Sequence, residues 1–292
     1  MPPYSSIYED GAGPIESHPI WVDPLAVPPP STAELAWQIS LSGQADAALV
    51  PSETSETMDD SSLPIALVTG ATRGLGLAIA QDLARDHHVL LGGRDPEKTR
   101  DIATTLGNAT PFIADLGDEN EVKEAVSRVE SHFGRINLLV HNAGLAHRGP
   151  IENTSRDIWR SLFEVNVFAV ADLTRLTLPL LRRVNGHIVV INSGAGIRSY
   201  PSDAAYCASK WALRSFTDSV RESERGTLKV TALHPGRINT DMQRQLYEAT
   251  GREYDPADHM APEDVVRTLR LAISLPPGAN VDELHIRTTE AH

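Results

Sequence analysis

Tyr206 and Lys210 are the two residues whose types and spacing most directly suggest chemistry. Residues four apart on a helix share a face, so the phenol and the ammonium can lie together. A tyrosine is a poor acid or base at neutral pH because its ordinary pKa is about 10, but a nearby ammonium favours the phenolate and lowers that pKa. A surface lysine lying along the ring is the alternative, so the rest of the chain must decide between them.

The composition is that of a globular protein with one large domain or two small ones. The chain has 292 residues, of which 41% are hydrophobic and 22% charged, ample for a core. No apolar run approaches the roughly 18 residues of a membrane helix, and the first residues lack a signal-peptide pattern. Cys207 is the only cysteine, and the 11 histidines show no metal-ligand spacing. We therefore expect a cytoplasmic protein with no membrane partner, no disulfide and no metal.

Residues 1–62 differ in composition from the rest of the chain. This Pro- and Ser-rich segment contains ten Asp or Glu residues and no Lys or Arg. Of the net charge of −13, the remaining residues carry only −3, which argues against nucleic acid as a partner. The composition predicts a disordered N-terminal extension, except for a short helix that a capping box at residues 31–34 could begin.

Two interpretations of this extension are open. It is either a docking arm with Trp21 and Trp37 as anchors, or a start-site artefact, with translation beginning at Met58. We favour Met58, because a fold that begins at residue 63 needs nothing before it.

A strand, a glycine-rich turn and a helix follow one another from residue 65. Residues 65–69 are a short apolar run, residues 70–76 read Gly-x-x-x-Gly-x-Gly, and a helical pattern continues from Leu77. In that order, backbone N–H groups and a helix N-terminus can receive a phosphate, and a Cβ on the glycines would block its approach. The spacing differs from the common Gly-x-Gly-x-x-Gly, so a purely structural turn is the alternative.

Short apolar runs and longer amphipathic stretches alternate through the rest of the chain. They predict a single Rossmann-type, doubly wound α/β fold over residues 63–292, a parallel sheet of about seven strands with helices on both faces. Predicted strands cover residues 65–69, 88–92, 110–114, 137–141, 186–191, 228–233 and 283–287, and predicted helices include 96–106, 119–133, 151–168, 170–183 and about 203–225. Pro179 is expected to bend or interrupt its helix. Ligands of such sheets bind at the carboxyl ends of the strands, where Gly70, Arg94, Asp115 and Asn142 lie.

Together, these motifs resemble the short-chain dehydrogenase/reductase family. The resemblance rests on residues 67–76, 115–116, 141–144, 166, 193, 206, 210 and 235–236, and it covers nearly all of residues 64–292. His141 departs from the family pattern, in which asparagine is more frequent, and we expect a change in a local hydrogen bond only. The resemblance implies an NADP(H)- or NAD(H)-dependent oxidoreductase that interconverts a carbonyl and an alcohol.

The resemblance also implies catalytic roles for Asn166, Ser193, Tyr206 and Lys210. Tyr206 would be the acid or base of hydride transfer, and Lys210 would lower its pKa and bind the nicotinamide ribose. Ser193 would stabilise the developing oxyanion, and Asn166 would hold a water that links Lys210 to solvent. The alternatives are a serine that serves only turn chemistry and an asparagine that only bonds helix backbone.

A larger set of residues is implied to bind the cofactor. Its members are Gly70, Thr72, Arg73, Gly74, Leu75, Gly76, Arg94, Asp115, Leu116, Asn142, Ala143, Gly144, Tyr206, Lys210, Pro235, Gly236, Ile238 and Thr240. Asp115 would contact the adenine, or would instead cap the helix after it. Thr240 would contact the nicotinamide carboxamide or the pyrophosphate, or would instead cap a helix.

Charge argues for NADP(H) over NAD(H). Enzymes that use NAD usually have an acid after the second strand, where it bonds the ribose 2′-hydroxyl. Here Arg94 follows two glycines, and Arg73 adds a second cation in the glycine turn. Two guanidiniums suit a 2′-phosphate. Asp95 is the competing residue, since it could bond a ribose if the loop shifted by one position.

The substrate is less determined than the chemistry. Residues 237–261 lie where the family has its substrate lid, and they offer four apolar contacts and three arginines: Met242, Leu246, Tyr247, Tyr254, Arg237, Arg244 and Arg252. The arginines either meet an anionic group or are solvated helix charges. We expect a small-molecule carbonyl or alcohol substrate and, from the family, a homodimer or homotetramer.

Two alternatives to a simple carbonyl reductase are open. One is a 3-oxoacyl-thioester reductase of the same fold. The other is a non-catalytic NADP-binding regulatory protein with the N-terminal extension as its interaction arm. The intact set Asn166, Ser193, Tyr206 and Lys210 argues against the second.

Overall fold

The computed structural model describes residues 63–289. These residues are arranged around one parallel sheet of seven strands. The strands are β1 (Ile65–Val68), β2 (His88–Gly93), β3 (Ala109–Ile113), β4 (Leu138–His141), β5 (His187–Ile191), β6 (Lys229–Pro235) and β7 (Glu283–Ile286). Their order is β3-β2-β1-β4-β5-β6-β7, so the winding direction reverses between β1 and β4. The predicted doubly wound α/β fold is confirmed.

Helices connect the strands and cover both faces of the sheet. They are α1 (Gly74–Leu83), α2 (Pro96–Leu106), α3 (Glu119–Phe133), α4 (Arg156–Phe163), α5 (Ala169–Arg182), α6 (Ala204–Ser223), α7 (Asp241–Ala249) and α8 (Pro262–Ile273). Single 3₁₀ turns lie at Ile151–Asn153, Gly194–Gly196 and Pro256–Asp258.

The strands are apolar throughout because both faces of the sheet are buried. Side chains alternate between the faces, so Ile65 and Leu67 belong to the core beneath α3, α5 and α6. Ala66 and Val68 belong to the other core, with residues of α1, α2 and α8. The two clusters pack on the two faces of the sheet, and the residues that follow the carboxyl ends of the strands lie outside them, where they can form a site.

The segment expected as one helix over residues 151–168 differs from the prediction. A 3₁₀ turn comes first, and α4 begins only after Ser155, whose hydroxyl accepts a hydrogen bond from the Ile158 N–H at 3.4 Å. A π-helical turn, Glu164–Phe168, then joins α4 to α5. Pro179 does not interrupt α5, because the carbonyl that its missing N–H leaves free belongs to the exposed Arg175.

Some sequence predictions fall outside the described residues. The N-terminal extension, its short helix and Met58 all lie there, as do residues 290–292. Within residues 63–289, no helix is both long enough and apolar enough to cross a membrane.

Candidate active site

A cleft of about 1360 Å³ opens at the carboxyl ends of the strands, beside the point where the strand order reverses. Every residue of the predicted cofactor-binding set lines it, and so does Ser193. Asn166 is the one predicted site residue that does not line the cleft, because its side chain is buried behind the wall. The fold thus brings together residues that lie up to 170 positions apart, from Gly70 to Thr240.

The glycine turn between β1 and α1 is as close-packed as the sequence predicts. Gly70 has a φ of +62°, and a Cβ on it would lie 2.9 Å from the Ala143 Cα. A Cβ on Gly76 would collide with the Gly70 carbonyl oxygen. Arg73, the N-cap residue of α1, provides no side-chain cap, so the first N–H groups of the helix stay open to an anion.

Asn142 fastens the end of β4 to the end of β1. Its amide donates to the Thr69 carbonyl at 2.9 Å and to the Gly70 carbonyl at 3.2 Å. The Thr69 hydroxyl in return accepts from the N–H groups of Asn142 and Ala143, both at 3.0 Å. These bonds fix the two loops on either side of the strand-order reversal, so the floor of the cleft is formed in advance.

Two guanidiniums stand at the β2 end of the cleft. Arg73 and Arg94 are exposed, and neither side chain has a hydrogen bond or ion pair with another residue in the range 63–289. Asp95 is engaged as the N-cap of α2, because its carboxylate accepts from the N–H groups of Glu97 and Lys98, both at 3.1 Å. This end of the cleft therefore presents positive charge, to which the exposed Lys98 adds.

The helix-cap alternatives for Asp115 and Thr240 have opposite outcomes. The N-cap of α3 is Asp118, whereas Asp115 accepts a hydrogen bond from the Gly117 N–H at 3.0 Å and closes a turn. The cap interpretation of Asp115 is therefore wrong. Thr240 does cap α7, and its hydroxyl accepts from the Gln243 N–H at 3.4 Å. Both residues nevertheless line the cleft.

Ser193, Tyr206 and Lys210 meet at the β5 end of the cleft. Ser193 lies two residues after β5, and its hydroxyl faces the Tyr206 phenol closely enough to influence the phenol's pKa. Lys210 lies one turn further along α6 and is 5% exposed. Its Nζ is 6.0 Å from the centre of the Tyr206 ring and donates to the Ile191 carbonyl at 3.2 Å. The predicted shared helix face is confirmed by this arrangement.

Asn166 lies behind these residues in the π-helical turn. Its Oδ1 accepts from the Leu145 N–H at 2.8 Å, and its Nδ2 donates to the Leu145 carbonyl at 2.9 Å and to the Ser209 hydroxyl at 3.0 Å. The side chain is therefore satisfied by protein groups. A methyl group on Gly144 would lie 3.2 Å from Asn166 Oδ1 and 3.8 Å from Lys210 Nζ, so both polar groups face the same small space.

Comparison with known families identifies this arrangement. Residues 64–251, more than half of the chain, match the model of the short chain dehydrogenase family. The chain belongs to the short-chain dehydrogenase family. It is therefore an oxidoreductase of the short-chain dehydrogenase type.

Known proteins similar to the chain come from vertebrates and from an archaeon. The chain is 33% identical over 227 residues to dehydrogenase/reductase SDR family member 7B of Xenopus laevis, covering 72% of this chain and 70% of that protein. The protein of the same name from Mus musculus is 35% identical over 205 residues, covering 66% of this chain and 64% of that protein. This chain therefore spans about two thirds of the length of these two relatives. The alcohol dehydrogenase of the archaeon Thermococcus sibiricus, solved in complex with 5-hydroxy-NADP, superimposes with a TM-score of 0.71 at 27% identity, covering 78% of this chain and 98% of that one.

Burial governs the titration of the two central residues of this short-chain dehydrogenase. It raises the pKa of the Tyr206 phenol, although the Ser193 hydroxyl beside the phenol acts in the opposite direction. This is the reverse of the shift expected from Lys210, whose amine points to the Ile191 carbonyl. Burial also lowers the pKa of Lys210 from 10.5 to about 8. The amine therefore changes charge close to neutral pH.

An ion pair beside Tyr206 was not predicted from the sequence. Arg148 Nε donates to Asp203 Oδ1 at 3.0 Å, and the carboxylate is only 9% exposed. Asp203 precedes α6, and both residues line the cleft. The two partners are 55 positions apart, and neither follows a strand, so no local pattern could indicate the pair.

The arginines of the proposed lid region are mostly engaged with their neighbours. Arg237 donates to the Tyr247 hydroxyl at 3.2 Å, Arg252 lies 5.2 Å from the centre of the Tyr247 ring, and Arg244 donates to Asn239 Oδ1 at 3.0 Å. They support the aromatic packing of Tyr247 against Tyr254, at 5.3 Å between ring centres. These three guanidiniums therefore contact side chains of the same region, which neither of the two alternatives predicted.

His141, the departure from the family pattern, lies in the core. Its Nε2 is 2.9 Å from the Thr174 hydroxyl, which donates in turn to the Val170 carbonyl at 2.7 Å. Burial lowers the pKa of His141 to about 3, so the ring is neutral. The residue thus forms a local hydrogen bond away from the cleft.

Proposed function

We propose that the protein is an NADP(H)-dependent oxidoreductase that interconverts a small carbonyl compound and its alcohol, with Tyr206 as the acid or base. One observation carries the proposal: the Ser193 hydroxyl and the Tyr206 phenol face each other in the same cleft whose other end presents Arg73 and Arg94, which have no partner among residues 63–289. A proton-transfer pair and an anion-binding end in one cleft are what hydride transfer from a phosphorylated cofactor requires.

The residues present fit a dinucleotide. The close approach at Gly70 and Gly76 and the open N-terminus of α1 form a cradle for a pyrophosphate, which a Cβ would fill. Asp115 would contact the adenine, Asn142 and Ala143 would support the ribose, and residues 235–240 would hold the nicotinamide end. When bound, the nicotinamide supplies or accepts the hydride.

The reaction assigns a separate task to each catalytic side chain. The Ser193 and Tyr206 hydroxyls donate hydrogen bonds to the substrate carbonyl oxygen, which fixes it and stabilises the developing negative charge. Tyr206 gives its proton to that oxygen in reduction and takes it back in oxidation. Lys210, as the ammonium, stabilises the phenolate that reduction leaves, and so offsets the effect of burial on the Tyr206 pKa.

Asn166 is proposed to act on the proton path. Its side chain is saturated by Leu145 and Ser209, so a water between Lys210 and solvent would be held by backbone carbonyls of the π-helical turn. Such turns interrupt the regular helix hydrogen bonds and free acceptors for other partners. Asn166→Ala should therefore perturb the turn and slow the return of the proton, with NADPH binding largely retained.

A preference for NADP(H) is supported by three features. Arg73 and Arg94 have no protein partner among the described residues, so their donors are available to a 2′-phosphate. The Asp95 carboxylate caps α2, which makes it less available to accept a hydrogen bond from a ribose hydroxyl. The related alcohol dehydrogenase of Thermococcus sibiricus was solved with 5-hydroxy-NADP. Equal kcat/KM values with NADH and NADPH would contradict the preference.

We assign the catalytic function to a domain over residues 63–292, with residues 1–62 outside it.

The decisive test of the function is Tyr206→Phe. This variant should lose turnover by at least about 100-fold, whereas NADPH binding, followed by the change in nucleotide fluorescence, should persist. The wild-type protein should be screened for NADPH consumption with ketones, 3-oxo acids and acyl thioesters. Turnover retained in Tyr206→Phe, or no consumption across this panel, would refute the proposal.

A further inference from the structure

Three side chains with metal-ligating atoms meet at the β7 edge of the sheet, outside the cofactor end of the cleft. β7 pairs with β6 so that His234 lies beside His285. Glu283 is two positions before His285 and therefore projects from the same face of β7. The three side chains form the edge cluster, His234, Glu283 and His285.

His234 is the buried member of the edge cluster. Its side chain is 0% exposed, and its Nε2 has no hydrogen-bond partner among residues 63–289. Its Nδ1 lies 3.1 Å from the Ser193 carbonyl oxygen, which can only accept, so Nδ1 carries the hydrogen and Nε2 the lone pair. An unpartnered buried lone pair is costly unless something binds it.

The other two members approach that lone pair. His234 Nε2 is 3.9 Å from Glu283 Oε1, and His285 Nε2 is 3.3 Å from Glu283 Oε2. The imidazole centres are 4.9 Å apart, and one ligand atom from each residue lies within 4.8 Å of the other two. Tetrahedral zinc holds its ligands at about 2.0–2.2 Å, so neighbouring ligand atoms are about 3.4 Å apart. His285, which is 43% exposed, has the freedom to close the remaining gap of about an ångström.

We propose that the edge cluster binds one divalent transition-metal ion, Zn²⁺ being the ion that its ligands suit best. Two imidazoles and one carboxylate are a ligand set of zinc, and a water would fill the fourth, outward position. The Nδ1 hydrogen bond of His234 to a backbone carbonyl is the outer-shell contact that orients ligating histidines.

Arg214 completes the surroundings of the edge cluster. Its Nε and Nη2 donate to the two Glu283 oxygens at 3.1 and 3.3 Å, which holds the carboxylate toward the histidines. Its charge lowers the attraction for a cation, so we expect weaker binding than in a site without it. The ion would join β7, the edge strand, to β6, and through His234 it would contact the loop that carries Ser193. The consequence we expect is a more stable sheet edge and a fixed Ser193 loop.

The sequence alone gives little sign of such a site. His234 is 49 positions before Glu283 and 51 before His285, and only the Glu-x-His spacing of the other two ligands is local. Parallel pairing of β6 with β7 brings the ligands together. This is why no metal-ligand spacing was found among the histidines.

The test uses the tag-free full chain, stripped with a chelator and titrated with ZnCl₂ alone. Equilibrium dialysis with metal analysis should give one saturable equivalent, and thermal unfolding should show Tm raised by several degrees at saturation. Co²⁺ should give the visible absorption of a tetrahedral ion. His285→Ala should weaken zinc binding at least about 100-fold and abolish the Tm increase. The matched control is His132→Ala, an exposed histidine on α3, which should bind zinc as the wild type does.

Glu283→Gln provides a second, independent variant, because glutamine keeps the shape of glutamate but loses its charge. This variant too should lose the bound equivalent of zinc.

Absence of saturable zinc uptake by the wild type would overturn the proposal. Equal uptake by wild type and His285→Ala would overturn it as well, as would an equal loss in His285→Ala and His132→Ala. Since NADPH binding and turnover are not the readouts, failure here leaves the proposed oxidoreductase function untouched.

Discussion

At the residue scale, Lys210 is a buried lysine in the candidate site, and its burial reduces the stability of the folded protein at neutral pH. Lys210 is 5% exposed, and its amine has one protein hydrogen bond, to the Ile191 carbonyl, among the described residues. Burial lowers its pKa from 10.5 to about 8, so holding the ammonium at neutral pH costs about 3 kcal/mol at most. In the proposed mechanism this charge is the one that stabilises the Tyr206 phenolate.

Lys210→Met should therefore stabilise the protein at neutral pH. Because the folded pKa is depressed, the unfolded chain binds more protons between pH 8 and 10.5, and wild-type stability rises with pH across that window. At pH 7 the variant should gain about 1–2 kcal/mol after the loss of the bond to Ile191, and the gain should shrink toward pH 10. Urea unfolding at pH 7 and 9.5 measures it.

The control for this prediction is Lys123→Met, an exposed lysine on α3. Its unfolding free energy relative to the wild type should not change with pH. A Lys210→Met effect that stays constant or grows with rising pH would contradict the assigned burial penalty.

The cation pair at the β2 end gives a second residue-scale prediction. Arg94→Ala should raise KM for NADPH at least about 10-fold, because a lost charge-assisted hydrogen bond is worth about 1.5–3 kcal/mol. The kcat/KM with NADH should stay within about 2-fold, since NADH lacks the phosphate. Steady-state kinetics with both nucleotides measure this, and Arg100→Ala, exposed on α2 but outside the cleft, is the control. A similar loss with both nucleotides would count against phosphate recognition.

At the scale of elements, the sequence predicted what depends on local pattern and missed what depends on distant partners. The glycine turn after β1 and the alternation of strands and helices follow from period and composition, and both are confirmed. The π-helical turn at Glu164–Phe168 was missed, because the bonds of Asn166 to Leu145 and Ser209 come from 21 and 43 positions away. The Arg148–Asp203 ion pair was missed for the same reason.

The contact between α1 and α8 is an element-scale feature that can be tested. Arg270 on α8 donates to Asp82 Oδ2 at 2.5 Å, to the Asp82 carbonyl at 2.8 Å and to Asp86 Oδ2 at 2.6 Å. The guanidinium is 28% exposed, so solvent screens these bonds only in part. They join the end of α1 to the helix that covers it.

Arg270→Ala should lower the free energy of unfolding by about 1–2 kcal/mol, equivalent to about 2–8 °C in Tm. Arg267→Ala, on the same helix, should cost less than about 0.5 kcal/mol, because its ion pair with Asp264 is between side chains 75% and 41% exposed. Calorimetry of both variants makes the comparison. Equal losses would mean that the α1–α8 bonds contribute no more than a surface ion pair.

For the whole molecule, the question is which part of the chain the enzyme needs. Residues 63–289 provide the seven strands, both core clusters and every residue of the proposed site. The family match begins at residue 64, and the acidic excess belongs to the residues before it. Composition changes close to the residue where the family match begins, and the division of the chain at residue 62 stays a prediction.

Removal of residues 1–57, to begin at Met58, should therefore leave the enzyme intact. We expect Tm within about 2 °C and kcat/KM within about 2-fold of the full chain, because the sheet and the cleft lose no residue. Eight acidic residues are removed, so the net charge changes from −13 to −5 and elution from an anion exchanger should come at lower salt. A fall in Tm or activity beyond these limits would mean that the extension contributes to the folded enzyme and is not a start-site artefact.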